Sequence, residues 1–89
     1  MSDTPGDVRG QVRAYIEENF LYLRPDLELK DSDELMALGL LDSLGFVELV
    51  EEVQNRFGLE IQDVDITEQN FGSIDAIVRY VEGKGAAAA

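Results

Sequence analysis

The sequence of 89 residues allows one small domain with a single hydrophobic core, and its apolar content of 45% is enough to pack that core. Cysteine and histidine are both absent, which excludes disulfides and thiolate or imidazole metal sites and removes the commonest general base. A formal net charge of −12 opposes binding to nucleic acids and to anionic membranes and favours basic partners.

From these properties we expect a protein that is not an enzyme and that binds no nucleic acid and no metal. The sequence has no long apolar run and no signal-peptide pattern, so we expect a cytoplasmic location without membrane insertion. An acidic surface that only keeps the chain in solution is the alternative to a surface that binds basic partners.

The first predicted helix begins at Thr4-Pro5-Gly6-Asp7, where threonine can cap the helix and proline fits its first turn. It is predicted to end at Arg24-Pro25, because proline disfavours helical backbone at the residue before it. Its apolar residues recur at helical spacing and form one stripe. They are Val8, Val12, Tyr15, Ile16, Phe20 and Leu23.

Residues 25–41 form a long connection with too many leucines to leave in water, so we expect the loop to be ordered and packed on the core. A helical turn is predicted around 33–37, with Ser32 or Asp33 as its cap, and Gly39 supplies the permissive backbone that follows. The leucines concerned are Leu27, Leu29, Leu35, Leu38, Leu40 and Leu41.

The second helix is predicted from Ser43 to Phe57, with Gly58 as a left-handed stop. Leu59-Glu60-Ile61 is expected to be an extended linker with Leu59 and Ile61 turned inward. The predicted core face of the helix comprises Val47, Val50, Val53 and Phe57, with Leu44 and Phe46 at its start.

Asp65 is the predicted cap of a short third helix, because Glu68 follows at capping-box spacing, and Asn70-Phe71-Gly72 breaks this helix. Ser73 is the predicted cap of a last helix that ends at Gly83-Lys84-Gly85. The apolar stripe of this helix is Ile74, Ile77, Val78 and Val81.

The pattern as a whole predicts an all-α four-helix bundle. Three helices are longer, the third is short, and a long ordered loop joins the first and second. We expect one domain over residues 5–83, between a flexible N-terminus over 1–4 and a flexible tail over 84–89.

Ser43 has two interpretations at the start of the second helix. Asp-Ser is an ordinary helix start, so Ser43 can simply be the cap. A catalytic serine would need a nearby base, and the chain has no histidine. The alternative is a serine that another protein modifies, since the start of a helix stabilises a phosphate-linked group through its free N–H groups and its dipole.

The segment Gly39-Leu40-Leu41-Asp42-Ser43-Leu44, followed by Val47-Glu48-Leu49 in an acidic helix, resembles the phosphopantetheine-binding family of acyl carrier and peptidyl carrier proteins. The resemblance extends over about residues 5–83 and implies a four-helix bundle of the acyl-carrier type. It also implies that a separate phosphopantetheinyl transferase moves 4′-phosphopantetheine from coenzyme A to Ser43 with Mg²⁺. The thiol of this arm would hold an acyl or aminoacyl group as a thioester, which the protein would shuttle between enzymes.

The window from Asp31 to Asn55 contains no Lys or Arg, which favours docking of basic surfaces around Ser43. A solvated helix face is the alternative interpretation of these acids. For Asp42, a helix cap, a partner contact and an aid to modification are all open. By resemblance Glu48 is the strongest docking candidate, while Leu44 and Val47 are interpreted either as packing residues or as contacts of the arm or of a partner. The candidate docking residues are Asp42, Leu44, Val47, Glu48, Glu51 and Glu52.

The resemblance also implies the partners of the chain. We expect the phosphopantetheinyl transferase, a loading ligase or adenylation enzyme, and downstream transferases, condensing enzymes or tailoring enzymes. The chain itself is expected to be a monomer.

The departures from the fatty-acid pattern favour another branch of the family. Gly45 stands where fatty-acid carriers usually have Asp, and Gln54 and Asn55 stand where they tend to have Glu, so the sequence is more similar to aminoacyl, peptidyl and D-alanyl carriers. Against a D-alanyl carrier, Leu44 replaces the usual Met and no Trp precedes the last helix. We expect an acyl or aminoacyl carrier of a specialised pathway, with a D-alanyl or fatty-acid carrier as the alternative.

The sequence also suggests two interpretations from other functional classes. An unmodified acidic helical adaptor that binds a basic protein stays open. A calcium loop starting at Asp63 is excluded, because Glu68 occupies the sixth position, where glycine is required, and Ile74 occupies the twelfth, where a glutamate ligand belongs.

Overall fold

The computed structural model describes the backbone of residues 8–88 and the side chains of residues 8–84. Within these ranges every regular element is helical, which confirms the all-α fold with three longer helices, a short third helix and a long loop after the first. The α-helices are α1 (Val8–Asn19), α2 (Ser43–Phe57), α3 (Glu68–Phe71) and α4 (Ile74–Ala88), and 3₁₀ turns lie at Leu21–Leu23 and Asp63–Asp65. The helix start predicted at 4–7 and the flexibility expected of 1–4 lie outside the described residues.

The α-helical part of α1 ends before the predicted boundary, and a 3₁₀ turn follows. The side-chain amide of Asn19 donates to the carbonyl of Tyr15 at 2.9 Å, and Phe20 leaves the helical region with φ −132°. This local side-chain bond competes with the helical ladder and favours its end. Phe20 packs edge-on against the ring of Tyr15, but Leu23, the predicted last member of the core stripe, is 66% exposed.

The long loop is held on the core, as its leucines predict. Leu35 is fully buried, and its N–H donates to the carbonyl of Gly72 at 2.8 Å. The carbonyl of Leu35 in turn accepts the N–H groups of Leu40 at 3.1 Å and Leu41 at 3.4 Å. These bonds fix the last part of the loop against the segment between α3 and α4, directly before α2 begins.

The helical turn predicted around 33–37 is present as a single turn over residues 34–38, in which the N–H of Leu38 donates to the carbonyl of Glu34 at 3.0 Å. Gly39 closes it with φ 77°, the left-handed backbone that favours glycine. Asp33 does not cap this turn, because its carboxylate accepts the N–H of Lys30 at 2.9 Å instead. A side chain that bonds to the preceding loop is less available to cap the turn that follows.

α2 has the predicted bounds, and Gly58 ends it in the left-handed conformation with φ 64° and ψ 36°. The predicted core face was wrong at Val47, which is 47% exposed, because the fully buried Leu49 centres this face instead. After α2, Leu59 packs against the core and Ile61 is buried, as predicted for the linker. The large core-facing residues of α2 are Phe46, Leu49, Val50 and Val53.

The cap of α3 is Thr67 rather than the predicted Asp65. The hydroxyl of Thr67 accepts the N–H of Asn70 at 3.3 Å, and the helix ends at Phe71, as predicted. Asp65 lies in the preceding 3₁₀ turn, where its carboxylate accepts a hydrogen bond from the hydroxyl of Tyr80 at 2.8 Å. Burial and this carboxylate raise the pKa of Tyr80 to about 12.

Ser73 caps α4, as predicted, since its hydroxyl accepts the N–H of Ala76 at 3.1 Å. α4 continues through Gly83-Lys84-Gly85, where the sequence predicts its end, as far as Ala88. Alanine is the strongest helix former, so the alanines after Gly85 favour continuation over the stop. The buried apolar residues of α4 include the predicted Ile74, Ile77, Val78 and Val81. No helix in the described part of the chain is long and apolar enough to cross a membrane.

Four charged side chains join α1, the long loop and α4. Arg9 binds Asp31 at 2.8 Å and Asp75 at 2.5 Å, and Arg13 binds Asp31 at 2.8 Å. Arg13 also donates to the carbonyl of Leu29 at 2.8 Å, which ties the start of the loop to α1. The hydrogen bond from Arg13 lowers the pKa of Asp31, and Arg9 adds to this effect while partial burial opposes it.

Removal of the Asp31 carboxylate should weaken the fold at neutral pH but not in acid. Because the folded protein lowers the pKa of Asp31, its contribution to stability is present above the ordinary aspartate pKa of about 4 and is lost as the pH falls below it. We expect Asp31→Asn to lower the free energy of unfolding at pH 7, and the deficit to shrink between about pH 5 and pH 2. Urea unfolding at a series of pH values, followed by circular dichroism, measures this difference.

Asp26→Asn is the matched control, because Asp26 is an exposed carboxylate of the same loop. Relief of the general acidic repulsion affects both variants alike, so the difference in pH dependence between the two variants reports the ion pairs of Asp31. A deficit of Asp31→Asn that stays constant down to pH 2 would contradict the assignment.

Candidate functional site

The start of α2 is fixed by the side chain of Asp42. Its backbone is extended (φ −102°, ψ −172°), and its Oδ1 accepts the N–H of Gly45 at 2.8 Å. Its carbonyl accepts the N–H of Phe46 at 2.8 Å. This is the geometry of an N-cap residue, which satisfies one of the N–H groups that a helix start leaves free.

Ser43 is the first residue of α2 and is exposed. The interpretation of Ser43 as the cap is wrong, because Asp42 occupies the capping position one residue earlier. Within the described part of the chain, no side-chain or backbone group forms a hydrogen bond with the Ser43 hydroxyl. An accessible hydroxyl therefore lies at the positive end of the helix dipole, where added negative charge is stabilised.

Gly45 lets the rest of the protein pack closely under this helix start. A Cβ atom added at Gly45 would lie 3.2 Å from Cε1 of Phe20 and 3.3 Å from both Cδ2 of Leu41 and Oδ1 of Asp42, closer than ordinary contact. Any side chain here would press on the ring, on the loop leucine and on the capping carboxylate together. A larger residue at this position would require these neighbours to shift by a few tenths of an ångström.

Two apolar residues and two acids share the exposed face of α2. Leu44 is 67% exposed and Val47 is 47% exposed, so their interpretation as packing residues is wrong. Glu48 and Glu51 are also exposed. The spacing i, i+3, i+4 and i+7 puts all four on one side of the helix. The structure therefore brings most of the predicted docking residues together next to Ser43.

Glu52, the remaining predicted docking residue of α2, lies apart from that face. It is half-buried, and its carboxylate accepts a hydrogen bond from Nε of Arg56 at 2.7 Å. It also lies near Tyr15 on α1, whose pKa is raised by burial and then by the carboxylates of Glu52 and Glu48. Its charge is thus partly neutralised within the molecule, whereas the charges of Glu48 and Glu51 are not.

Two shallow grooves of about 330 Å³ each flank α2. The first lies toward the end of α1, and its lining includes Phe20, Leu23, Leu40, Asp42, Leu44 and Glu48. The second lies toward the segment after α2, and its lining includes Val47, Val50, Glu51, Ile61, Asp63 and Ile66. Leu23 is the lining residue that the sequence pattern misassigned, since it continues the helical spacing of α1. The Arg24-Pro25 pair predicted a helix end after Leu23, whereas α1 already ends at Asn19.

Comparison with protein-family models gives a match over residues 11–81, described as "Phosphopantetheine attachment site". Among curated proteins, the chain is similar to the D-alanyl carrier protein of Streptococcus sanguinis (strain SK36), with 32% identity over 75 residues that cover 84% of this chain and 91% of that protein. It is similar to the D-alanyl carrier protein of Streptococcus gordonii (strain Challis) to the same degree, 32% over 75 residues and the same shares. The family match extends from within α1 to within α4 and includes Ser43.

Loss of the cap should cost stability, whereas loss of the Ser43 hydroxyl should not. We expect Asp42→Ala to lower the free energy of unfolding by about 1 kcal/mol, because the N–H of Gly45 loses its acceptor. Asp42→Asn keeps an acceptor and should retain most of this stability, and Ser43→Ala should change it by less than about 0.5 kcal/mol. Urea unfolding at pH 7 measures all three. A larger loss for Ser43→Ala than for Asp42→Ala would mean that the serine is the cap.

Proposed function

The chain belongs to the phosphopantetheine attachment-site family of carrier proteins, and we propose that its attachment residue is Ser43. Members of this family carry 4′-phosphopantetheine covalently. The observation that supports Ser43 is its exposed hydroxyl at the first position of α2, next to the residue that caps the helix. The other serines with described side chains fit less well: Ser73 uses its hydroxyl to cap α4, and Ser32 lies in a loop turn.

The proposed attachment is a phosphoryl transfer from coenzyme A. The oxygen of Ser43 forms a bond to the phosphorus that bears pantetheine, the pyrophosphate bond of coenzyme A breaks, and adenosine 3′,5′-bisphosphate leaves. The hydroxyl proton passes to a base of the transferase, because the chain has no histidine and none of the described residues forms a hydrogen bond with this hydroxyl. The chain therefore takes part as an acceptor of the group and supplies no catalysis of its own.

The residues around Ser43 fit a phosphodiester. The Asp42 side chain accepts only the N–H of Gly45, so the N–H groups at the first positions of α2 stay directed toward the start of the helix. Together with the helix dipole they favour one added negative charge by about 0.3–1 kcal/mol. Leu44 and Val47 offer exposed apolar surface beside the attachment oxygen. When bound, the arm supplies a thiol that holds the cargo as a thioester, a group that this cysteine-free chain lacks.

In a carrier of this kind, both the covalent arm and the protein surface help to deliver the cargo to enzymes. Linking the cargo to a folded protein raises its effective concentration at each enzyme and lets the enzymes bind the protein surface rather than the cargo. We assign this docking role to the exposed face of α2 with Asp42, and a lesser one to Glu52, which Arg56 already binds. The partners are the transferase, a loading ligase or adenylation enzyme and the enzymes that receive the cargo. We also propose a cytoplasmic location, the one expected from the sequence.

An aminoacyl group is the cargo that we favour, with an acyl group next. Both curated relatives are named D-alanyl carrier proteins, which supports D-alanine or a related amino acid. Gly45, Gln54 and Asn55, where fatty-acid carriers have acids, favour the same branch. We assign this carrier function to one domain over residues 5–83, an interval that contains the family match over 11–81.

Incubation with coenzyme A, Mg²⁺ and a promiscuous phosphopantetheinyl transferase tests the proposal, with intact mass as the readout. The wild type should gain the mass of one phosphopantetheine group, and Ser43→Ala should gain none. Ser32→Ala is the matched control, because Ser32 is also exposed but lies outside the helices. This variant should gain the group as the wild type does. No gain by the wild type would favour an unmodified acidic adaptor, and an equal gain by Ser43→Ala would place the attachment elsewhere.

A further inference from the structure

A groove of about 360 Å³ lies on α4, where α3 meets it. Its lining shares no residue with the two grooves beside α2. The lining residues of α4 recur at the spacing i, i+3, i+4, i+7 and i+8, so they form one face of the helix. They are Ala76, Arg79, Tyr80, Gly83 and Lys84, and α3 adds Asn70. The groove is therefore a separate surface, and its volume lies within the range of small-molecule sites.

The groove has an open floor and a fixed apolar wall. A Cβ atom built at Gly83 would meet no heavy atom within 4 Å beyond its own stretch of helix backbone, so the floor is free at this point. Tyr80 forms the wall. Its hydroxyl donates to the carboxylate of Asp65 at 2.8 Å, and its ring centroid lies 4.9 Å from that of Phe71. These two contacts hold the ring in place, so little side-chain freedom is lost when a ligand packs against it.

The groove is cationic although the protein is strongly acidic. The chain has 7 Lys and Arg against 19 Asp and Glu, yet Arg79 and Lys84 form no ion pair with any described residue. Asp75, one turn before Arg79, pairs with Arg9 instead. The ammonium group of Lys84 lies 5.7 Å from the centre of the Tyr80 ring. Two positive charges without a paired carboxylate thus border an apolar wall, which suits a ligand that combines negative charge with apolar surface.

We propose that this groove binds a small organic anion, a carboxylate or phosphate group joined to an apolar or aromatic body. Arg79 and Lys84 bind the anionic group, to which a guanidinium can donate two parallel hydrogen bonds. The body packs against the Tyr80 ring and over the open floor at Gly83. The site involves neither Ser43 nor its modification, so it goes beyond the proposed function.

Both parts of the ligand are needed because of the net charge. An inorganic anion gains nothing from the apolar wall, while the charge of −12 repels it at long range. A polyanion such as a nucleic acid is repelled more strongly and needs a broad basic surface, which two cations do not provide. Contact with the ring and the floor offsets the repulsion only for an anion that has an apolar body.

Phenyl phosphate is the probe that tests the proposal, with inorganic phosphate and phenol as its two halves. The readout is the change in amide chemical shifts of the ¹⁵N-labelled protein. We expect phenyl phosphate to bind with a Kd of about 1 mM, and the saturable shifts to centre on α4 from Ala76 to Lys84. Each half should bind at least about tenfold more weakly, because neither makes both kinds of contact.

Three variants and a control locate the site. Arg79→Gln and Lys84→Gln should each raise the Kd about 5- to 10-fold, because a charge-assisted contact is lost. Lys30→Gln changes the net charge equally and should bind as the wild type does, since Lys30 is an exposed cation of the long loop. Gly83→Leu should abolish binding by filling the floor, while its unfolding midpoint stays the same or rises, because leucine favours helix more than glycine does.

Shifts that do not saturate by about 20 mM phenyl phosphate would overturn the site. Equal losses for Lys30→Gln and Arg79→Gln would overturn it too, because binding would then report net charge alone. Equal affinity for inorganic phosphate, or undiminished binding by Gly83→Leu, would show that the wall and the floor contribute nothing and would also contradict the proposal. None of these outcomes bears on Ser43, which the mass gain on phosphopantetheinyl transfer tests separately.

Discussion

The hydrogen bond from the N–H of Gly45 to the carboxylate of Asp42 is the interaction on which the site depends. It satisfies one of the N–H groups that a helix start leaves free. With the cap supplied one residue earlier, the serine hydroxyl takes no part in holding the fold and lies exposed at the first position of α2. A group can thus be added to this oxygen without removing an interaction that stabilises the helix.

The rest of the molecule fixes where this helix start lies. The N–H of Leu35 donates to the carbonyl of Gly72, and the carbonyl of Leu35 accepts the N–H groups of the two leucines that precede Asp42. Hydrogen bonds therefore link the bundle core to the start of α2. Gly45 has no side chain, which permits Phe20 and Leu41 to pack beneath the first turn. The same close packing brings the end of α1 beside α2 and creates the groove next to Ser43.

The sequence predicted elements well where a local signal and the tertiary structure agree. Gly58 is a strong helix stop, and α2 ends there. Prediction was weaker where two residues with similar capping preference lie close together, as Asp65 and Thr67 do before α3. Asp65 instead accepts a hydrogen bond from the hydroxyl of Tyr80, which is distant in sequence, so the local pattern did not show which residue is the cap. It was wrong for Leu23, because helical spacing does not report where a helix core face ends. The family resemblance predicted Ser43 as the attachment residue, but only the geometry of the helix start shows that its hydroxyl is not the cap.

The most direct test of this account is the free energy of unfolding of the protein before and after attachment of phosphopantetheine, measured by urea unfolding at pH 7. If Asp42 caps α2, attachment removes no structural bond, and the phosphodiester charge at the helix start leaves the stability unchanged or raises it by up to about 1 kcal/mol. A loss of about 1 kcal/mol or more on attachment, the amount expected when a capping side chain is removed, would contradict it.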